Sequence, residues 1–180
     1  SFPVTLTCLV LSFFVLFTPI YPKEKNISLD EKEFRITFFE DKNNLIEFNE
    51  VRNKKFKRLE NLKTLFSDST FWYRLDIKGS SSNEEESLFL TLEKPTIDNI
   101  IFYKFEKEGW VEKITGDLRP FNSREIKNRN FIFKLKKSKN LKTYYIKVKS
   151  NSSLLFPIYL STEKEFKNSN ENDFYFFILF

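Results

Sequence analysis

Four side chains carry the chemistry that this sequence can offer another molecule: Tyr103, Trp110, Arg119 and Arg124. Aromatic rings on an outward sheet face stack on sugar rings or apolar ligands, and an arginine fork grips a carboxylate or sulfate through parallel N–H donors. That chemistry suits binding rather than turnover. The chain has no histidine, and its single cysteine, Cys8, lies inside the apolar leader, so outside that leader the usual general base, zinc ligands and thiolate nucleophile are missing. Carboxylates that could pair as in glycosidases fall mostly in loops such as Glu84-Glu85-Glu86, where solvated acids are the plainer reading. Three glycines build neither a P-loop nor a dinucleotide fingerprint. The expectation is a binding module and not an enzyme, with no metal and no cofactor.

Each of these residues also has a structural reading. Trp110 beside a turn can cap the core as readily as meet a ligand, since tryptophan is highly buried on average. Arg124, after a Gly-Asp turn, can hold its loop by a salt bridge to Asp117. Trp72 is assigned to packing or to a partly covered outer face.

Strands must position these residues. Phe71, Tyr73, Leu75 and Ile77 alternate with Trp72, Arg74, Asp76 and Lys78, which predicts a strand with the first set toward a core. A one-residue slip would move that whole set to solvent. Leu88, Leu90 and Leu92 alternate in the same way, and Lys94-Pro95 ends their strand because proline has no N–H for a ladder. From Ile100 to Phe105 both faces are apolar, as in a strand buried on both sides or carrying a contact surface on its outer one. Gly109-Trp110 and Gly116-Asp117 read as turns.

Upstream, Phe34 to Phe38 reads as a first strand, Glu40 to Asn44 as a turn, and Leu45 to Val51 as a second strand. Between Arg52 and Ser69, Phe56, Leu59, Leu62 and Phe66 recur every three to four residues, which fits a short helix or a packed loop. Downstream, Phe131 to Leu135, Tyr144 to Val148 and Leu155 to Leu160 supply further strands, and Thr162-x-x-Glu165 is a capping box for one helical turn. About eight or nine short strands without helices between them predict an all-β, antiparallel β-sandwich or barrel.

The 180 residues, 41% hydrophobic, suit one domain with a real core. Twenty-three phenylalanines and seven tyrosines favour strands. The net charge of +5 invites a nucleic-acid reading, but the lysines are interspersed with 25 acidic residues. The dense basic runs, Arg52 to Arg58 and Lys134 to Lys142, fall in loops or on an outward strand face. A solvated surface is therefore favoured, and no nucleic-acid partner is expected. An abundance of Lys, Asn, Ile and Phe is also what an AT-rich genome produces whatever the function.

A family resemblance lies in the same central stretch. Phe71-Trp72-Tyr73-Arg74-Leu75 is followed by Leu92-Glu93-Lys94-Pro95 with Ile97-Asp98-Asn99-Ile100. Then come Gly116-Asp117 with Arg119-Pro120-Phe121 and Arg124, and last Tyr144-Tyr145-Ile146-Lys147-Val148 and Pro157-Ile158. In order and spacing this resembles the type 2 extracellular domain of bacterial seven-transmembrane receptors with diverse intracellular signalling modules. The resemblance implies a periplasmic jelly-roll sandwich like those of carbohydrate-binding modules, placed ahead of seven membrane helices and a cytoplasmic output.

The two ends agree with such a setting. Phe2 to Tyr21 is apolar and uncharged over about the ~20 residues a membrane span needs, and also resembles the core of a secretory signal. Residues 1–22 are thus a signal peptide or an anchor, with Cys8 an apolar filler inside them, and 23–33 a linker. Residues 34–170 are the jelly-roll domain, and 171–180, ending in the apolar run Phe174 to Phe180, open a first membrane helix or form a last edge strand. Two functions follow. One is a receptor's exported sensor domain with a small-molecule or carbohydrate ligand, the membrane reached through the flanking segments, and a possible homodimer. The other is a free-standing exported carbohydrate-binding or adhesion module.

Overall fold

Alternation decides which way each strand of this chain faces. The computed structural model describes residues 34–58, 67–78, 86–151 and 156–168. The expectations for residues 1–33 and 169–180, and for Leu59, Leu62, Phe66, Glu84 and Glu85, lie outside them. Nine strands are present among the described residues: β1 Phe34–Asp41, β2 Lys57–Arg58, β3 Thr70–Ile77, β4 Glu86–Leu92, β5 Asn99–Glu106, β6 Gly109–Thr115, β7 Phe131–Lys137, β8 Lys142–Lys149 and β9 Ile158–Thr162.

The strands form two antiparallel sheets, six-stranded β2-β1-β3-β8-β5-β6 and three-stranded β7-β4-β9. From β3 onward the chain changes sheet at every connection except the β5–β6 hairpin. This is an all-β sandwich of jelly-roll type, as the alternation and the resemblance both imply. Phe71, Tyr73, Leu75 and Ile77 all point between the sheets and are at most 2% exposed. Leu88, Leu90, Leu92, Ile100, Phe102, Phe131, Phe133, Ile146 and Val148 meet them there. Each fully buried side chain of this size contributes about 1.5–3 kcal/mol.

The residues behind the resemblance are largely architectural. The Asp117 N–H donates to the Ile97 carbonyl at 2.7 Å, and the Asp98 carboxylate accepts from the Asn151 N–H at 2.7 Å and the Ser150 hydroxyl at 3.3 Å. Gly116, at φ +145°, lies so close to the Asp98 carbonyl that any β-carbon would collide with backbone. The Gly-Asp turn is thereby locked to the entrance of β5.

Three local expectations are corrected. Leu45 to Val51 is not a strand: Asp41 Oδ2 accepts the Ile46 N–H at 2.7 Å, the chain turns, and Phe48–Val51 forms a single-turn helix, α1. A short apolar run does not by itself distinguish helix from strand. Gly109-Trp110 is not the turn itself. The hairpin turns at Lys107-Glu108, and both residues belong to β6, Gly109 pairing with Glu106 and Trp110 with Phe105. The strand expected over Leu155 to Leu160 begins at Ile158, with residues 152–155 outside the described part.

The capping box is formed: Glu165 Oε2 accepts the Thr162 N–H at 2.8 Å, and the Thr162 hydroxyl accepts the Glu165 N–H at 3.3 Å. Residues 163–168 are helical. Among the described residues no helix is long and apolar enough to cross a membrane.

Candidate functional site

The outer face of the six-stranded sheet is set by strand register. Thr37, Arg74, Tyr145, Tyr103 and Glu112 form one row across β1, β3, β8, β5 and β6. Phe39, Trp72, Lys147, Ile101 and Ile114 form the neighbouring row. Trp110, two residues from Glu112 along β6, shares this face. Side chains on one sheet face at these spacings touch directly or diagonally, so the outward aromatics make a continuous platform.

That platform is covered by the chain itself. The segment after β1 folds back over it and sets down Phe48, whose ring stacks on Tyr103 with centroids 4.1 Å apart and planes 4° apart. Trp110 and Tyr145 meet Phe48 edge-on at 5.0 and 5.6 Å, and Trp72 lies beneath at 6.4 Å. Edge-on and offset contacts suit the ring quadrupoles. Val51, fully buried, pins the back of α1 into the same cluster. Trp72 is 0% exposed, and its buried indole N–H has no hydrogen-bond partner among the described residues.

Charge surrounds these rings. The Arg52 guanidinium lies over Phe48 at 5.2 Å and Trp110 at 5.9 Å and donates to Asn49 Oδ1 at 3.0 Å. Lys147 Nζ sits 5.0 Å from the Trp72 ring centre and 3.9 Å from Glu47 Oε1. Arg74 Nε and the Thr143 hydroxyl both donate to Asp76 Oδ1, at 3.1 and 2.7 Å. Burial pushes the Tyr103 hydroxyl up to about 12, with the Glu112 and Glu47 carboxylates adding to the effect. Burial also raises Tyr145; Asp76 pushes the same way, while Arg74 and Arg52 oppose it.

Glu47, Phe48, Asn49, Tyr103, Trp110 and Glu112 line a recess of about 340 Å³. A larger open cleft of about 1150 Å³ lies by the β5–β6 hairpin, where Lys104, Val111, Leu141 and Tyr144 are among its walls and Trp110 stands at its border. Trp110 thus adjoins both. No group of three or more potential metal ligands occurs among the described residues.

Of the four residues singled out from sequence, the structure brings together Tyr103 and Trp110. Tyr103 is 6% exposed under Phe48, and Trp110 is half-buried beside it. Arg119 and Arg124 lie elsewhere. Trp110 lies near the start of β6, whereas Arg119 follows its last residue, Thr115, which is five residues or about 16 Å along the strand at about 3.3 Å per residue. Arg119 is exposed, with its backbone N–H on the Gly116 carbonyl at 3.1 Å. Arg124 stacks its guanidinium 4.1 Å from the Phe131 ring centre and donates to the carbonyls of Asn128 and Arg129. Partial burial lowers its pKa while nearby Asp117 raises it, so Asp117 acts on Arg124 through space and the carbonyls hold the loop.

Phe48, Arg52, Glu47 and Glu112 are the members that sequence reading missed. Nothing local marks Phe48, since its role depends on how the segment after β1 folds back.

A protein-family model described as 7TMR-DISM extracellular 2 matches residues 34–162. No curated protein matches the chain.

Proposed function

Since the chain belongs to the 7TMR-DISM extracellular 2 family, we propose that this sensory extracellular domain is exposed on the periplasmic side of a bacterial membrane receptor. There it binds a small molecule on the outer sheet face around Tyr103 and Trp110. The observation that carries this reading is a coincidence of boundaries. The family match begins at the first residue of β1 and ends at the last of β9, so the domain shared with receptor ectodomains is this sandwich, whole.

The site chemistry supports binding without turnover. It offers aromatic faces, two carboxylates and an amide, in a chain with no histidine. A ligand ring that stacks on Tyr103 must displace Phe48, and this links occupancy to movement of α1. Such a linkage is how a sensor domain converts binding into a change that membrane helices can read, because a ligand shifts an equilibrium only by its differential affinity for two states.

The test is a melting-temperature screen of the full chain in detergent micelles against sugars, amines and carboxylates. At least one compound should raise the melting temperature of the native chain and fail to do so in Trp110→Leu. The reading is overturned if every compound leaves the native chain unchanged, or if all hits persist in the variant.

A further inference from the structure

We propose that the recess beside Phe48 selects an organic cation, a primary or quaternary amine, held against the half-buried ring of Trp110 by the carboxylates of Glu47 and Glu112. This names the ligand class of the site above and rests on that reading. The chain as a whole carries a net charge of +5, yet the recess is lined by two glutamates and by no lysine or arginine. Arg52, over the Phe48 and Trp110 rings, and Lys147, 3.9 Å from Glu47, stand outside that lining, so the charge a ligand meets within the recess is carboxylate.

Register places Glu112 directly across from Tyr103, and Glu47 immediately precedes Phe48, so the two carboxylates approach the recess from the sheet and from the segment above it. Among the described residues Glu112 makes no ion pair. Glu47 reaches Lys147 only at 3.9 Å and its side chain is 76% exposed.

The rings themselves favour a cation. The negative face of an aromatic quadrupole attracts ammonium and guanidinium groups within about 6 Å, tryptophan most strongly. The chain already exploits this, since Arg52 lies at 5.2 and 5.9 Å over Phe48 and Trp110. A neutral sugar would gain stacking but no charge attraction from the two carboxylates, and an anion would be repelled by both. The volume of about 340 Å³ sits at the lower end of the range of about 300–1,000 Å³ usual for small-molecule sites, which suits a compact amine.

The test is titration of the full chain with choline chloride and with putrescine, each at matched ionic strength, followed by intrinsic fluorescence. Both tryptophans of the chain belong to this aromatic cluster. Glu47 and Glu112 are exposed, so Glu47→Gln and Glu112→Gln leave the fold intact. At least one amine should bind the native chain. Each single variant should weaken it about threefold and the double variant about tenfold, the scale of partly exposed charge contacts. Glucose and sodium acetate should give no response. Failure of both amines to bind, or equal affinity in the double variant, overturns the proposal. A neutral or anionic compound whose binding is lost in Trp110→Leu but unchanged in the double variant also overturns it, and leaves the ligand-sensing function standing. If no compound of any class responds to Trp110→Leu, both fall together.

Discussion

The ring of Phe48 lies parallel to that of Tyr103, 4.1 Å between centroids and 4° between planes, so the phenol face that would meet a ligand ring is already occupied by the chain. An outward platform of Tyr103 and Trp110 therefore exists, but as the floor of a second small core. Phe48 is only half-buried, which leaves it the exchangeable member of that core.

Phe48→Ala should uncover the platform without unfolding the sandwich, because the main core between the sheets does not include Phe48. The expected loss is about 2 kcal/mol, below the roughly 3–5 kcal/mol for a fully buried phenylalanine. Urea unfolding measures the loss. Amide exchange should show faster opening of residues 46–52, with the strands unchanged.

Trp110 and Trp72 should separate sharply. Trp110 is half-buried, with edge-on contacts to Phe48, Tyr145 and Phe105, whereas Trp72 is 0% exposed. Trp110→Ala should cost about 1–2 kcal/mol and Trp72→Ala about 3–5 kcal/mol, as large-to-small changes at partly and fully buried sites. Equal losses in thermal unfolding would show that Trp110 plugs the cluster as firmly as Trp72.

Arg124→Met should destabilise the loop ahead of β7. The substitution keeps the stem over Phe131 but removes the donors to the carbonyls of Asn128 and Arg129, at about 1.5–3 kcal/mol for hydrogen bonds from a charged group. Affinity for any compound bound near Trp110 should stay unchanged. A loss of affinity with stability intact would place Arg124 in a ligand site.

Alkaline pH should destabilise the domain through its buried tyrosines. Tyr103 has a folded pKa near 12 against an ordinary 10, and Tyr145 is raised as well. A pKa higher in the folded state means that the folded chain holds the proton more tightly. The contribution to stability is therefore complete below pH 10 and is lost as pH rises toward 12. Denaturant unfolding across that window should show falling stability, and Tyr103→Phe should flatten the decline. An identical decline in the variant would assign it to other groups.

The sequence by itself determined the strands that alternate, and with them the core. Phe71, Tyr73, Leu75 and Ile77 had to face one way because the side-chain period of a strand is two, and burying that face is worth far more than any competing local preference. The capping box at Thr162 and Glu165 was legible for a similar reason, since its hydrogen bonds close within four residues. The family resemblance was legible in Ile97-Asp98 and Gly116-Asp117, whose types answer to a close backbone approach.

Only the tertiary structure decided what covers the outer face. Ile46, Phe48 and Val51 read as a strand because a short apolar run carries no information about its partner. The Asp41 carboxylate and the open aromatic face of β5, β6 and β8 turn that run into a helical cap. The extension of β6 likewise separates Arg119 from Trp110, because Trp110 lies near the first end of that strand and Arg119 follows its other end, where chain proximity suggested one rim. Local chemistry names the faces of each strand. Which faces meet is set by long-range burial, and that is where Tyr103 gains Phe48 as its neighbour.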